Sequence, residues 1–204
     1  MKPEKDLLKK YKQKRDFEKT TEPKPKIKKT KAKSLLFVVQ KHASRSLHYD
    51  FRIEISGVLA SWAIPKGFSL NPAIKHLAVK TEDHPYDYAK FEGIIPEGQY
   101  GAGAVMVWDI GTYQNIKKEN NKLVPIEECI KRGTIEIWLE GEKLHGGFAL
   151  IKFHGQSAKE DNWLIIKIDD EYAKPNKDSL PKSWDKSALS GQTMNQIKKT
   201  SKNY

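Results

Sequence analysis

A single cysteine, Cys129, stands in 204 residues. It has no internal partner for a disulfide and no second thiolate for a zinc cluster, which fits a reducing, cytoplasmic setting. No apolar run approaches the roughly 18 residues of a spanning helix, so no membrane segment is expected. The lysine-rich amino terminus lacks the apolar stretch of a secretory signal. Acidic side chains are scarce beside basic ones, 26 against 37, for a net charge of +11. What remains, with 38% hydrophobic residues, suffices for one good core with tails.

The charge is uneven. Residues 1–33 carry 14 basic and 5 acidic side chains, residues 174–204 carry 7 and 2, and residues 34–173 carry 16 and 19. A mildly acidic body thus sits between two basic tails, a footprint for a polyanion, most simply nucleic acid. Lysine-rich ends also serve solubility alone, and charge does not separate the two. Residues 4–18 read as a short amphipathic helix on Leu7, Leu8, Tyr11 and Phe17. Residues 23–33 alternate lysine with Pro, Ile and Thr and read as extended, and the tail from Lys174 reads as mostly disordered.

From Ser34 the pattern turns to short runs rich in Val, Ile, Phe and Trp, bounded by Gly, Pro and Asn. Strands are expected at 35–40, 48–55, 58–64, 76–80, 104–108, 134–139, 147–153 and 163–168. About eight short strands argue for an all-β fold, a sandwich or a compact, closed or partly open barrel. The segment Glu54-Ile55-Ser56-Gly57-Val58 reads as a hairpin turn pairing the second run with the third. Residues 111–132 read as a solvent-facing excursion with a short helix near 126–132. The glycines of residues 93–103 read as tight turns: no Gly-Lys-Ser/Thr follows them, so they are neither a P-loop nor a dinucleotide fingerprint.

The stretch from His42 to Glu54 carries the chemistry. His48, Asp50, Arg52 and Glu54 share one parity, and Tyr49, Phe51, Ile53 and Ile55 the other, so a strand here has one apolar and one ionisable face. His48 and Asp50 place their ligand atoms roughly 6–7 Å apart along the strand, within reach of one ion between them. His42, read as lying just outside the strand, can fold back as a third ligand. Two imidazoles and a carboxylate suit Mn, Fe or Zn acting on a bound water. A His-x-Asp pair alone is also what a solvated strand face looks like; Arg52, whose fork pairs well with phosphate, tilts the reading toward a phosphate-ester site. Lys66, between Pro65 and Gly67, suits either a phosphate contact or an ordinary turn. Glu82, His84 and Tyr88 suit proton handling or an oxyanion contact, or a charged loop. His76, His145 and His154 lack an acidic neighbour at ligand spacing and read as structural or exposed.

Taken together, these phrases resemble a known family, the 3′-phosphoesterase domain of bacterial DNA ligase D and its free-standing bacterial and archaeal forms. The matching residues are Tyr11 with Lys14-Arg15-Asp16-Phe17, Glu22-Pro23, Phe37-Val38-Val39-Gln40-Lys41-His42 and Leu47-His48-Tyr49-Asp50-Phe51-Arg52. They continue through Ser61-Trp62-Ala63-Ile64-Pro65-Lys66-Gly67, Glu82-Asp83-His84-Pro85, Tyr88, Phe91-Glu92-Gly93 and the Ile95–Gly103 glycine phrase. Trp108-Asp109, Lys143-Leu144 and Trp163-Leu164-Ile165-Ile166-Lys167 complete the set.

The resemblance implies a compact β barrel over residues 34–173, a basic arm over 1–33 whose helix packs near the active site, and a basic tail over 174–204. It implies a Mn2+-dependent activity, with Zn2+ or Co2+ as possible replacements. That activity removes a 3′-terminal ribonucleoside and then the 3′-phosphate to leave a 3′-OH. By the same resemblance His42, His48 and Asp50 are the metal ligands and Arg52 and Lys66 phosphate contacts. His84 is the catalytic or supporting histidine, helped by Glu82 and Tyr88, and Arg15, Asp16, Glu22 and Gln40 match positions implicated in activity. His76 stands where the family usually has a phosphate-site arginine, which puts the strength of one of the two steps in doubt. The expected partners are DNA or RNA–DNA 3′ ends, most simply a primer–template duplex, met by a monomer away from membranes. No polymerase or ligase domain follows, so a separate ligase is expected. A non-catalytic DNA-end-binding module and a zinc hydrolase for another phosphodiester are the rivals.

Overall fold

A computed structural model describes residues 6–28, 35–153, 161–177 and 179–200. The elements are α1 (Lys9–Gln13), β1 (Leu35–Ala43), β2 (Leu47–Ile55), β3 (Val58–Ile64), β4 (Lys75–Lys80), β5 (His84–Pro85), β6 (Gly93–Ile95), β7 (Gly103–Asn115), β8 (Lys118–Glu119), β9 (Lys122–Leu123), α2 (Ile126–Arg132), β10 (Thr134–Gly141), β11 (His145–Lys152), β12 (Asn162–Lys167) and α3 (Met194–Thr200). Eight strands run in the order β1-β2-β3-β4-β12-β11-β10-β7, and β7 pairs back onto β1. All these pairings are antiparallel, so the sheet closes into a barrel without free edges and the all-β expectation holds. No helix among the described residues is long and apolar enough to cross a membrane.

Strand alternation divides the buried side chains into two sets. Phe37, Phe51, Trp62, Trp108, Ile137, Phe148 and Trp163 belong to one cluster, drawn from strands all round the barrel, that fills its interior. Val38, Leu59, Val105 and Val107 face the other way, and pack with Tyr11 of α1 and with Tyr88, Phe91 and Ile95 in a second cluster on the outer wall. The even-numbered face of β2 therefore lies outside the barrel but under cover: Asp50, Arg52 and Glu54 are all buried. The face that reads as wet from its composition is the floor of a roofed groove.

Local chemistry explains the central meander. Ser56 and Gly57 both take positive φ, 51° and 81°, as a two-residue turn between strongly twisted strands requires. It sets Ile55 opposite Val58 and Arg52 opposite Ser61. β1 is longer than its apolar run suggests, reaching Ala43 and pairing His42 directly with His48. His42 thus sits in the strand rather than beyond its end.

Three further expectations are corrected. The amino-terminal helix is a single short turn over Lys9–Gln13, because Arg15 has to leave it to reach buried acceptors on the barrel wall. Residues 111–115 are not an excursion but the second half of β7. A bulge skips Trp108 in the pairing with β1, and Gly111 lets the Glu140 carbonyl approach where a Cβ would collide with it. The carboxy-terminal tail is not disordered over Lys182–Thr200, where a 3-10 turn and α3 pack down on the barrel through Trp184 and Ile197. His154 and the outermost residues of both basic ends lie outside the described residues.

Candidate metal and phosphate site

His42, His48 and Asp50 each offer a ligand atom within 4.8 Å of the others. The cross-strand pairing stacks the two rings with centroids 4.7 Å apart. His42 Nε2 lies 2.8 Å from the Gly101 carbonyl oxygen, and His48 Nδ1 lies 3.0 Å from that of Ser46. A carbonyl only accepts, so each ring donates its remote N–H outward. That leaves His42 Nδ1 and His48 Nε2 as lone pairs turned toward Asp50 Oδ2, at 3.5 and 3.8 Å. Two lone pairs and a carboxylate aimed at one another repel unless a cation stands between them, and backbone carbonyls fixing the tautomers are the usual support of metal-bound imidazoles. The donor set fits a divalent ion of the Mn or Zn kind.

Asp50 is nine-tenths buried, which on its own would raise its pKa. The guanidinium of Arg52 at 3.2 Å outweighs burial and pulls the carboxyl down to about 2. Arg52 is in turn held on three sides. Its Nε donates to Gln40 Oε1 at 2.7 Å, Nη2 forms an ion pair with Asp50 Oδ2 at 3.2 Å, and Nη1 faces His84 Nδ1 at 3.0 Å. Gln40 has its own amide fixed by the carbonyls of Tyr88 and Phe91.

Arg15 mirrors this arrangement from the chain beyond α1. Its Nε donates to Glu22 at 2.9 Å, Nη1 to Glu82 at 3.0 Å, and Nη2 faces His84 Nε2 at 3.2 Å. The guanidinium lies over the Tyr11 ring, 3.9 Å from its centroid, a cation–π contact that helps offset desolvation. Tyr88 braces Glu22 through its hydroxyl at 2.9 Å. Lys14 bridges Glu82 and the Tyr100 hydroxyl at the rim.

His84 is therefore wedged between two guanidinium groups, one at each ring nitrogen. Burial first, and then Arg52 and Arg15, hold its pKa well below that of a free imidazole. The ring is neutral at physiological pH. A neutral imidazole accepts at one nitrogen only: Nδ1 lies 2.9 Å from the Glu82 carbonyl and donates to it, which leaves Nε2 to accept from Arg15. Arg15 thus commits three of its five N–H groups, and Arg52 hydrogen-bonds Gln40 through Nε, so both keep N–H groups uncommitted. Both arginines line a cavity of about 520 Å³ together with His42, His48 and Asp50.

The structure thus brings together His42, His48, Asp50, Arg52, Arg15, Glu82, His84 and Tyr88 around one cavity, with Gln40 and Glu22 directly behind the arginines. Three of the expected residues stand apart. Asp16 is exposed and closes a turn, its carbonyl accepting from Lys19 and Thr20. Lys66 is exposed in the turn after β3 and does not line the cavity. His76 bonds the Gly67 carbonyl at 2.7 Å from β4, also outside the lining. Conversely, Gly101, Ser46, Arg45 and Tyr100 escaped the sequence reading. Gly101 and Ser46 act through backbone carbonyls, which no side-chain pattern reveals. Tyr100 and Arg45 reach the cavity from loops.

The sequence model of the DNA ligase D 3′-phosphoesterase domain matches residues 40–152. The multifunctional non-homologous end joining protein LigD of Pseudomonas aeruginosa is 43% identical over 173 residues, covering 84% of this chain and 20% of that protein. The LigD DNA repair protein of Mycobacterium tuberculosis is 42% identical over 166 residues, covering 81% and 20%. The LigD of Mycolicibacterium smegmatis is 42% identical over 169 residues, covering 81% and 21%. The chain spans about a fifth of the length of these relatives.

Proposed function

Since the chain belongs to the DNA ligase D 3′-phosphoesterase domain family, we propose that it is a metal-dependent phosphoesterase that heals DNA 3′ ends. It removes a 3′-terminal ribonucleoside, leaving a 3′-phosphate, and then removes that phosphate to leave a 3′-OH that a ligase can use. The observation that carries this reading is the meeting, in one cavity, of a three-ligand set with two arginines whose remaining N–H groups are uncommitted.

His42, His48 and Asp50 would hold the ion, with Mn2+ our choice and Zn2+ or Co2+ possible substitutes. When bound, it supplies Lewis-acid polarisation of a phosphoryl oxygen. The chain's own residues do the rest. Arg15 and Arg52 bind the phosphoryl oxygens through their uncommitted N–H groups, held in place before substrate arrives. Such preorganised donors are each worth on the order of 3–4 kcal/mol when charge develops in the transition state. Glu22, Glu82 and Gln40 fix the two guanidinium planes, and Tyr88 fixes Glu22. His84 keeps the arginines apart and orients Arg15 by accepting from it at Nε2. Being neutral, it is a positioning residue rather than a proton donor to the leaving oxygen. Phosphate contacts pass to Arg15 and Arg52, with Lys66 and His76 left outside.

DNA or RNA–DNA 3′ ends are the proposed substrates, in the cytoplasm and alongside a ligase. The test is incubation with Mn2+ and end-labelled DNA carrying either a 3′ ribonucleotide or a 3′-phosphate. The expected result is conversion of the first to 3′-phosphate and of both to 3′-OH, lost on chelation. Binding to both DNAs without conversion of either would replace this reading with that of a non-catalytic end-binding module.

A further inference from the structure

A second cavity, of about 510 Å³, adjoins the first and is used by no part of the proposed reaction. Ile95 lines both. Ser44 and Ala102 line the first while their neighbours Ala43 and Gly103 line the second, so the two are separated only by strand ends. The far wall is α3, which presents Asn195, Lys198 and Lys199. This helix lies beyond residues 40–152, the part matched by the family.

The lysines stand on an anchored segment, not a loose tail. Ile197 is 4% exposed. The hydroxyls of Ser187 and Ser190 both donate to Glu92, which also accepts the Val107 N–H. Ala188 N–H donates to the Val107 carbonyl at 2.8 Å, and the Trp108 indole donates to the Trp184 carbonyl at 2.6 Å. Lys198 and Lys199 are themselves exposed, and Glu97 is the one carboxylate among the described residues lining the cavity. An apolar floor of Ile94 and Ile95 beside two ammonium groups is the surface a nucleic-acid strand needs, with sugars and bases on one side and phosphates on the other.

We propose that this cavity grips the backbone of the DNA strand just upstream of the 3′ end that sits at His42, His48 and Asp50, with Lys198 and Lys199 meeting its phosphates. The choice of DNA as occupant rests on the end-healing reading, and the two are tested separately below. The surface makes the protein discriminate by strand length, because only a strand of several nucleotides reaches from the first cavity into the second.

The experiment compares wild type with Lys198→Gln/Lys199→Gln on a 3′-phosphorylated dinucleotide and on a 3′-phosphorylated single strand of about twelve nucleotides, within the usual range of single-strand sites. Affinity is read by fluorescence anisotropy across a salt series, and KM and kcat with Mn2+. Two lost single-strand phosphate contacts should flatten the slope of log affinity against log salt by roughly 1.4 and weaken the long strand roughly tenfold or more at low salt. Dinucleotide KM and kcat for both substrates should stay as in wild type. Unchanged long-strand affinity and slope would overturn the proposal, as would an equal loss on the dinucleotide. Wild type that turns over neither substrate would sink the phosphoesterase reading, while the binding series still decides the role of α3.

Discussion

Replacing Asp50 by asparagine removes one charge and almost no volume from the centre of the candidate metal site. Asp50 lies 3.2 Å from Arg52, with side chains 10% and 3% exposed. Deleting one partner of such a buried pair costs about 3–5 kcal/mol, and the low end applies because Arg52 keeps its hydrogen bond to Gln40. A second route agrees. A carboxyl at about 2 instead of 3.8 stabilises the fold by roughly 2.5 kcal/mol at neutral pH. Because the folded value is the depressed one, this stabilisation is complete above pH 3.8 and is lost as pH falls through about 2. For a chain of this size the metal-free variant should melt about 5–12 °C below wild type at pH 7, and the gap should close in the acid range. Mn2+ at about a hundred times its Kd should then raise wild type by about 2.7 kcal/mol and leave Asp50→Asn where it was. Equal Mn2+ stabilisation of both proteins would refute the three-ligand assignment, and equal metal-free melting at pH 7 would refute the ion-pair argument.

Three other outcomes follow from the same contacts. Gln40→Met preserves volume but strands the Arg52 Nε–H and the carbonyls of Tyr88 and Phe91. It should cost about 3 kcal/mol in chemical denaturation and lower kcat while Mn2+ affinity, read by calorimetry, holds. Asp109 accepts the backbone N–H groups of Ile110, Glu142, Lys143 and Leu144 at the β10–β11 turn, so Asp109→Ala should lower the melting temperature by several degrees without changing the kcat of the folded protein. His84 has its pKa depressed in the fold, so below about pH 6.5 the unfolded chain takes up the proton and stability falls. His84→Asn should remove that slope from denaturation measured between pH 7 and 5.

Much of the barrel was legible because each strand carries its own alternation of large apolar residues, and the Ser56-Gly57 turn names its own geometry. The clustering of the candidate site was legible in part for a related reason: His48, Asp50 and Arg52 share a strand face, and period two is a strong signal. What stayed hidden depends on contacts distant in sequence. The extension of β1 to Ala43 is set by pairing with β2 and β7, and nothing in Lys41-His42-Ala43 announces it. Arg15 joins the cavity only because Glu22, Glu82 and Tyr11 receive it there. The ordering of residues 182–200 turns on Trp184 and Ile197 finding a barrel surface, while the local composition of that segment is that of a tail.

The charges around the cavity can be set against one another to say which substrate it suits. Lys14, Arg15 and Arg52 face Glu22, Glu82 and Asp50 in direct ion pairs, and His84 adds nothing because it is neutral. These pairs cancel, Arg45 in the cavity lining adds one positive charge, and a divalent ion on His42, His48 and Asp50 would leave the site about three units positive. A 3′-phosphate monoester, with a charge of about −1.5 to −2 at neutral pH, offsets more of that excess than a diester with a single charge. Charge is the larger difference between the two esters here, since the uncommitted N–H groups of Arg15 and Arg52 can serve either. Inorganic phosphate should accordingly bind, by calorimetry, far more tightly with Mn2+ present than without it, and should compete with the diester substrate in the Mn2+-loaded protein, with a lower KM for the 3′-phosphate than for the 3′ ribonucleotide on the same strand. Phosphate binding that is equally tight with and without Mn2+ would mean that the arginines alone define the anion site, and that the balance drawn here is the wrong one.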